Sequence, residues 1–213
     1  LKYDVILFDL DGTLLDTNEL IIQSFLHVFD YDPSLKRERI ISHFGMPLEK
    51  QLVDYAGRPE GSSGADLVQK YRAFNNAKHD EMVRAFPGVV ETLRALRERG
   101  VRVGVVTSKI RFTTERGLVH VGIKPYVESV VTIEDVEHPK PHAESIHKAL
   151  RELSVGPEAR VLMVGDSGFD LGCAQNAGVD SCWVGWGLKP REQMLAMNPT
   201  HVIEAMEDLL RLA

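Results

Sequence analysis

The chain has 213 residues, with 25 Lys and Arg against 31 Asp and Glu, a formal net charge of −6. That balance excludes a general affinity for nucleic acid or anionic membrane, which needs a basic face, but it leaves room for an anionic substrate held by a local cluster of cations or a metal ion. No apolar run reaches membrane length, and two cysteines, Cys173 and Cys182, are too few for a disulfide framework, so we expect buried thiols and a reducing cytoplasm.

The first predicted element is a buried strand over 3–8, YDVILF, which ends in Asp9-Leu10-Asp11-Gly12-Thr13. Two carboxylates one residue apart at the end of a buried strand repel each other and lose hydration, so the arrangement implies a use. Residues 17–86 contain no convincing strand. They predict helices over 18–29, 36–44, 48–56 and 65–86, with a loop at 57–65. A crossover helix needs far fewer residues, so this stretch is expected to be a helical cap inserted after the first strand, with hinges near 16–18 and 86–88. The expected division is a core of 1–16 and 87–213 and a cap of 17–86. Beyond it, 89–100 predicts a helix closed by Gly100. Apolar, β-branched runs at 101–107, 128–134, 159–165 and 180–186 predict further strands, with helices over 144–153 and 171–178 between them. Their hydrophobicity is nearly continuous, as in parallel strands covered on both faces, which predicts a doubly wound α/β sheet. The tail over 203–213 reads as a docking helix, and Trp183 and Trp186 as packing residues.

Open α/β sheets place their sites at the carboxyl ends of the strands. Asp9 and Asp11 follow the first strand. Thr107, Ser108 and Lys109 follow the second, with Arg111 close behind at the mouth of a helix. Asp166 and Asp170 follow the fourth, and Lys140 precedes a predicted helix. Alternation lets Asp9 and Asp11 project to one side. With Asp166 and Asp170 they form a set of hard oxygen donors that suits Mg²⁺. Lys140, Thr107 and backbone N–H groups are placed to hold the remaining charge of a phosphoryl group. Each of these signals is weak alone: an Asp-Gly turn, a GDS loop or a lone lysine is ordinarily structural. Their occurrence in order, each at a strand end or helix start, carries the inference.

The stretches DLDGT, VVTSK, HPKPH and GDSGFD resemble the four motifs of the haloacid dehalogenase superfamily, whose members carry a helical cap after the first motif. The resemblance spans essentially the whole chain. It implies a nucleophile at Asp9 that forms an aspartyl-phosphate, a general acid and base at Asp11, phosphate binding by Thr107 and charge stabilisation by Lys140. It also implies Mg²⁺ held by Asp9, the main-chain carbonyl of Asp11 and Asp166, with Asp170 a direct or outer partner of the metal. Dehalogenases of the superfamily lack the second aspartate, so Asp11 points to phosphate chemistry. One departure is visible. The usual KPxPxP run is Lys140-Pro141-His142-Ala143-Glu144-Ser145, two prolines short, which predicts a less rigid loop.

Receiver domains of signalling proteins also combine an acidic pair, a phosphorylated Asp, a Thr and a Lys. Theirs lie on different strands without a large helical insert, which disfavours a binding switch here. Among enzymes, LDTNELIIQSFLH, YRAFNNAKHDEMV and VVTIEDVEHPKP resemble the branch of the superfamily that hydrolyses inorganic pyrophosphate. Phosphoglycolate phosphatases, other small phosphomonoester phosphatases and, more remotely, phosphomutases remain open alternatives. The cap is expected to act as a lid that sets specificity. A second phosphate as leaving group calls for further cations, and Arg111, with Lys109, is the sequence-based candidate.

Overall fold

The protein is described by a computed structural model covering residues 2–213. The chain divides into two compact units, one running to Asp16 and resuming over Arg84–Ala213, the other Thr17–Val83. In chain order, β1 (Val5–Phe8) and β2 (Leu15–Asp16) lead into α1 (Asn18–Val28), α2 (Arg37–Ser42), α3 (Leu48–Tyr55) and α4 (Ala65–Met82). The chain returns through β3 (Arg84–Ala85), α5 (Val89–Glu98), β4 (Arg102–Val106), α6 (Arg111–His120), β5 (Ser129–Val131) and α7 (Glu144–Glu152). It ends with β6 (Val161–Gly165), α8 (Gly168–Ala177), β7 (Asp180–Val184), α9 (Arg191–Leu195), β8 (His201–Ile203) and a 3₁₀ turn, Met206–Arg211.

The larger unit is a six-stranded sheet in the order β5-β4-β1-β6-β7-β8, parallel throughout. The run VILF is buried at every position because β1 lies at the centre with helices on both faces. Val5 and Leu7 join Val131, Ile146, Ala149, Met163 and Cys173 in one cluster beneath α7 and α8. Ile6 and Phe8 alternate to the opposite face and are equally buried. The smaller unit is all helical. There α1 packs along α4, and Phe25 meets the Tyr71 ring edge-on at 5.0 Å.

Several boundaries differ from the sequence expectation, each for a local reason. The helix expected over 65–86 stops at Met82, because Arg84 and Ala85 pair antiparallel with Asp16 and Leu15, so the outgoing and returning chain run side by side. The strand expected over 128–134 is cut to three residues. Asp135 accepts bonds from the Thr132 amide and hydroxyl at 2.8 and 2.7 Å and turns Ile133–Asp135 into a 3₁₀ helix. The tail expected as a docking helix packs on α5 as a short 3₁₀ helix, Met206–Arg211, that buries Met206 and Leu209, and a strand precedes it. His201–Ile203 adds a sixth strand beside β7, and Asp208 then takes the Ala205 amide at 3.1 Å to start the 3₁₀ turn. Among the described residues, no helix is long and apolar enough to cross a membrane. Both cysteines are free and buried.

Gly104 sits mid-strand in β4, in register with Leu7 and Ser129. A methyl there would lie 2.8 Å from Leu7 Cδ2, and Leu7 is fully enclosed. Gly104→Ala is therefore expected to lower unfolding free energy by about 1–3 kcal/mol through overpacking. Chemical denaturation checks this, and an unchanged midpoint would show that the core yields at no cost.

Candidate active site

Asp9 extends β1 by one residue, its amide donating to the Val164 carbonyl at 2.9 Å. It stands at the carboxyl end of the central strand, where the chain's later strands turn to the other side of the sheet, the position at which such sheets bind ligands. Its carboxylate is 7% exposed. Lys140, 5% exposed, reaches it from the loop before α7 and donates to Asp9 Oδ1 at 2.7 Å, Asp170 Oδ1 at 2.6 Å and the Val106 carbonyl at 3.2 Å. Burial works against the ammonium, but the charges of Asp170 and Asp9 outweigh it and hold Lys140 well above its usual range. Asp9 Oδ2 is held more lightly, by the Thr13 hydroxyl at 3.4 Å.

Asp170 is fixed from both ends. Its Oδ2 accepts the Ser167 amide at 3.0 Å and hydroxyl at 2.7 Å, a reciprocal cap on α8, while Oδ1 takes Lys140. With both oxygens engaged, its place is to position Lys140 and the start of α8. Asp166, the residue after β6, is buried against the DLDGT turn. Gly12 has φ of +85°, and a Cβ there would lie 2.5 Å from Asp166 Oδ2, so glycine is required for conformation and for space. The Trp183 indole donates to the Asp166 carbonyl at 3.2 Å from below. Trp183 is thus a core residue that also fixes the Asp166 backbone.

Asp11 does not share Lys140. Its Oδ1 accepts Lys109 Nζ at 2.9 Å, which brings the residue after the VVTS strand end to the first motif. The buried Thr107 hydroxyl accepts the Lys109 amide at 3.2 Å and is thereby oriented at the same strand end, and Ser108 beside it is partly exposed. Arg111 opens α6 and is paired within this strand-end region. Its guanidinium donates to Asp135 Oδ2 at 2.5 Å and to the Val130 carbonyl at 2.9 Å, with Glu115 at 3.5 Å. It ties the start of α6 to the turn after β5. Sequence reasoning missed Lys189, a buried lysine in the loop after β7 whose charge interacts with Asp166 and Asp170. Its signal was available, since GWGLKP also follows a strand end.

Asp9, Asp166 and Asp170 each offer an oxygen within 4.8 Å of the others. Burial, together with the mutual charges of the group, pushes Asp9 up to about 7 and Asp166 well above the usual carboxylate range. Lys140 and Lys189 together leave these three acids short of positive charge. An all-oxygen donor set with that electrostatic demand fits a hard divalent cation such as Mg²⁺.

Parallel sheet, inserted helical unit, and an aspartate, threonine, lysine and aspartate at neighbouring strand ends define a class. The chain belongs to the haloacid dehalogenase-like hydrolases, whose family model matches residues 6–184. Pyrophosphatase PpaX of Bacillus mycoides (strain KBAB4) is 42% identical over 212 residues, covering 99% of this chain and 96% of the relative. The PpaX of Bacillus cereus (strain Q1) matches to the same extent. Among solved structures, a haloacid dehalogenase-like protein from Bacteroides fragilis superposes with a TM-score of 0.89 at 28% identity, over 97% of this chain and 99% of that one. A haloacid dehalogenase-like hydrolase from Streptococcus pneumoniae gives 0.82 at 26% identity, over 99% and 98%.

The raised carboxyls set a pH dependence. A carboxyl whose folded pKa exceeds its unfolded value of about 3.9 stabilises the fold in its protonated form. That contribution is fully present below about pH 4 and is lost as pH rises through about 7 for Asp9. The metal-free protein should therefore lose stability across this window. Mg²⁺ competes with protons for the same oxygens, so its gain in Tm should be larger at pH 8 than at pH 5. Thermal melts with and without Mg²⁺ check this, and an equal gain at both pH values would place the ion elsewhere.

Proposed function

We propose that this protein is a Mg²⁺-dependent phosphohydrolase that cleaves inorganic pyrophosphate to two phosphates through an aspartyl-phosphate on Asp9. The observation that carries the substrate is the 42% identity to Pyrophosphatase PpaX over 99% of the chain. The chemistry is supported by the pairing of each aspartate of the first motif with its own lysine.

Lys140 clamps Asp9 Oδ1 and leaves Oδ2 as the attacking oxygen. Attack on phosphorus forms the Asp9–phosphorus bond and breaks the bond to the bridging oxygen, which takes a proton from Asp11 and departs as phosphate. Asp11 then accepts a proton from a water, whose oxygen attacks the same phosphorus and releases the second phosphate and the Asp9 carboxylate. Splitting hydrolysis in two makes each displacement easier than one attack by water. The Thr107 hydroxyl holds an equatorial oxygen of the transferred group, and the Lys140 charge offsets its negative charge. A divalent cation held by Asp9, Asp166 and the main chain of Asp11 supplies neutralisation of the approaching charges. In this reading Lys109, which holds Asp11 at 2.9 Å, meets the leaving phosphate as it is protonated.

The deciding experiment is phosphate release from pyrophosphate and phosphoglycolate, with Mg²⁺ and with excess chelator. Pyrophosphate is expected to be the faster substrate, and chelator to silence both. Faster release from phosphoglycolate would overturn the substrate, and full activity in chelator would remove the metal.

Two substitutions test the roles. Asp9→Asn removes the nucleophile with almost no change of volume, so turnover should fall by at least about 10³-fold while the fold persists. Retention of more than a few per cent of the wild-type rate would sink the covalent route. Lys109→Met should lower kcat/KM for pyrophosphate by about 10²-fold and for an aryl phosphate much less, whereas Arg111→Met should leave the ratio of the two substrates within about threefold. The reverse ranking would return the leaving-group role to Arg111.

A further inference from the structure

Among the described residues, one group of side chains outside the carboxylate cluster has the composition of a metal site. His138, His142 and Glu144 each offer a ligand atom within 4.8 Å of the others. They lie in the segment Glu137-His138-Pro139-Lys140-Pro141-His142-Ala143-Glu144, so the two histidines bracket Lys140 at equal distance. A turn closed by the His142 amide on the Pro139 carbonyl at 3.0 Å folds them back on each other. Their rings stand 4.8 Å apart with planes inclined by 35°.

The carboxylate is preorganised. Glu144 opens α7, and its Oε1 and Oε2 accept the amides of Glu137 and His138, both at 2.9 Å. Its amide in turn donates to His142 Nδ1 at 3.2 Å and orients that ring. His138 Nδ1 lies 3.1 Å from Glu144 Oε2. Two ligands bound to a tetrahedral zinc at about 2.0–2.1 Å stand roughly 3.3 Å apart, so this pair already has the required spacing. His142 is exposed, and with Nδ1 accepting the Glu144 amide its Nε2 is the nitrogen offered to the ion. Backbone hydrogen bonds that hold the ligands in place are what metal sites use as outer support.

We propose that His138, His142 and Glu144 bind an imidazole-preferring divalent transition ion, zinc being the probe, at a site separate from the carboxylate cluster. Two imidazoles and one carboxylate select such an ion over Mg²⁺, which prefers oxygen alone. A water completes the shell. The ion clips both ends of the loop that delivers Lys140 to Asp9, so its binding energy stabilises that loop in its folded form. The site does not depend on the pyrophosphatase reading.

The test is calorimetric titration of zinc into the whole chain in saturating Mg²⁺, which keeps the carboxylate cluster filled. One equivalent should bind with micromolar affinity and raise Tm. His138→Gln and His142→Gln should each weaken binding by at least about tenfold, and the double variant should abolish both binding and the Tm gain. Because both side chains are exposed, the variants should keep the wild-type circular dichroism and zinc-free hydrolysis rate, which certifies the fold. Cobalt in place of zinc should give visible absorption bands that the double variant lacks. No binding at 100-fold above micromolar zinc, or undiminished binding by the double variant, overturns the site and leaves the proposed hydrolysis untouched.

Discussion

The buried ammonium of Lys140 is the interaction on which the active end of this sheet depends. It joins Asp9 of the central strand, the Val106 carbonyl of β4 and Asp170 of α8, three elements far apart in sequence. Removing one member of such a buried pair leaves an uncompensated charge, which costs about 3–5 kcal/mol. The loop before α7 is therefore held to the strand ends by electrostatics as much as by packing. Asp170 extends the network, since the oxygen that Lys140 does not use caps α8. The same carboxylate thus caps a helix and holds the lysine that pairs with Asp9.

This arrangement resolves the repulsion built into the first motif. Asp9 and Asp11 are one residue apart, but Asp9 is paired with Lys140 inside the sheet and Asp11 with Lys109 at its mouth. Two identical side chains thereby acquire different surroundings. In the proposed reaction the enclosed one attacks, and the more open one exchanges protons with the leaving group and with water. The Gly12 turn lets Asp166 close beneath both, and burial of that third acid creates the demand for a cation.

Most of this was legible in the sequence because it follows from periodicity and from the rule that strand ends carry chemistry. VILF, VGVV, VLMVG and SCWV are buried runs of the kind a covered parallel sheet produces. What escaped depended on partners that lie close in space and distant in sequence. Arg111 sits at a helix start, a good place to meet an anion, but Asp135 and the Val130 carbonyl claim it from the neighbouring strand end. Lys189 carries no local signal that ties it to Asp166; the loop after β7 buries it where its charge acts on that acid. His201–Ile203 is too short to announce itself, and only pairing with Cys182–Val184 makes it a strand. Local pattern identifies elements and candidate groups; the choice among candidates is made by tertiary contact.

The Lys140 loop shows how a departure from a motif can be compensated. Two prolines that stiffen this run elsewhere in the superfamily are Ala143 and Ser145 here, which by chain entropy alone predicts a looser loop. Instead the loop is tied down at nearly every residue. Glu144 accepts the amides of Glu137 and His138, Asn176 donates to the Pro141 carbonyl at 2.9 Å, and the Cys173 thiol to the His142 carbonyl at 3.1 Å. The Ser145 hydroxyl meets the same thiol at 3.5 Å, a contact that proline cannot make. Asn176 and Cys173 belong to α8, whose first turn carries Asp170. The helix that positions the Lys140 ammonium through Asp170 thus also fixes the backbone that carries it, so rigidity that proline would supply through the unfolded chain is supplied here by native contacts.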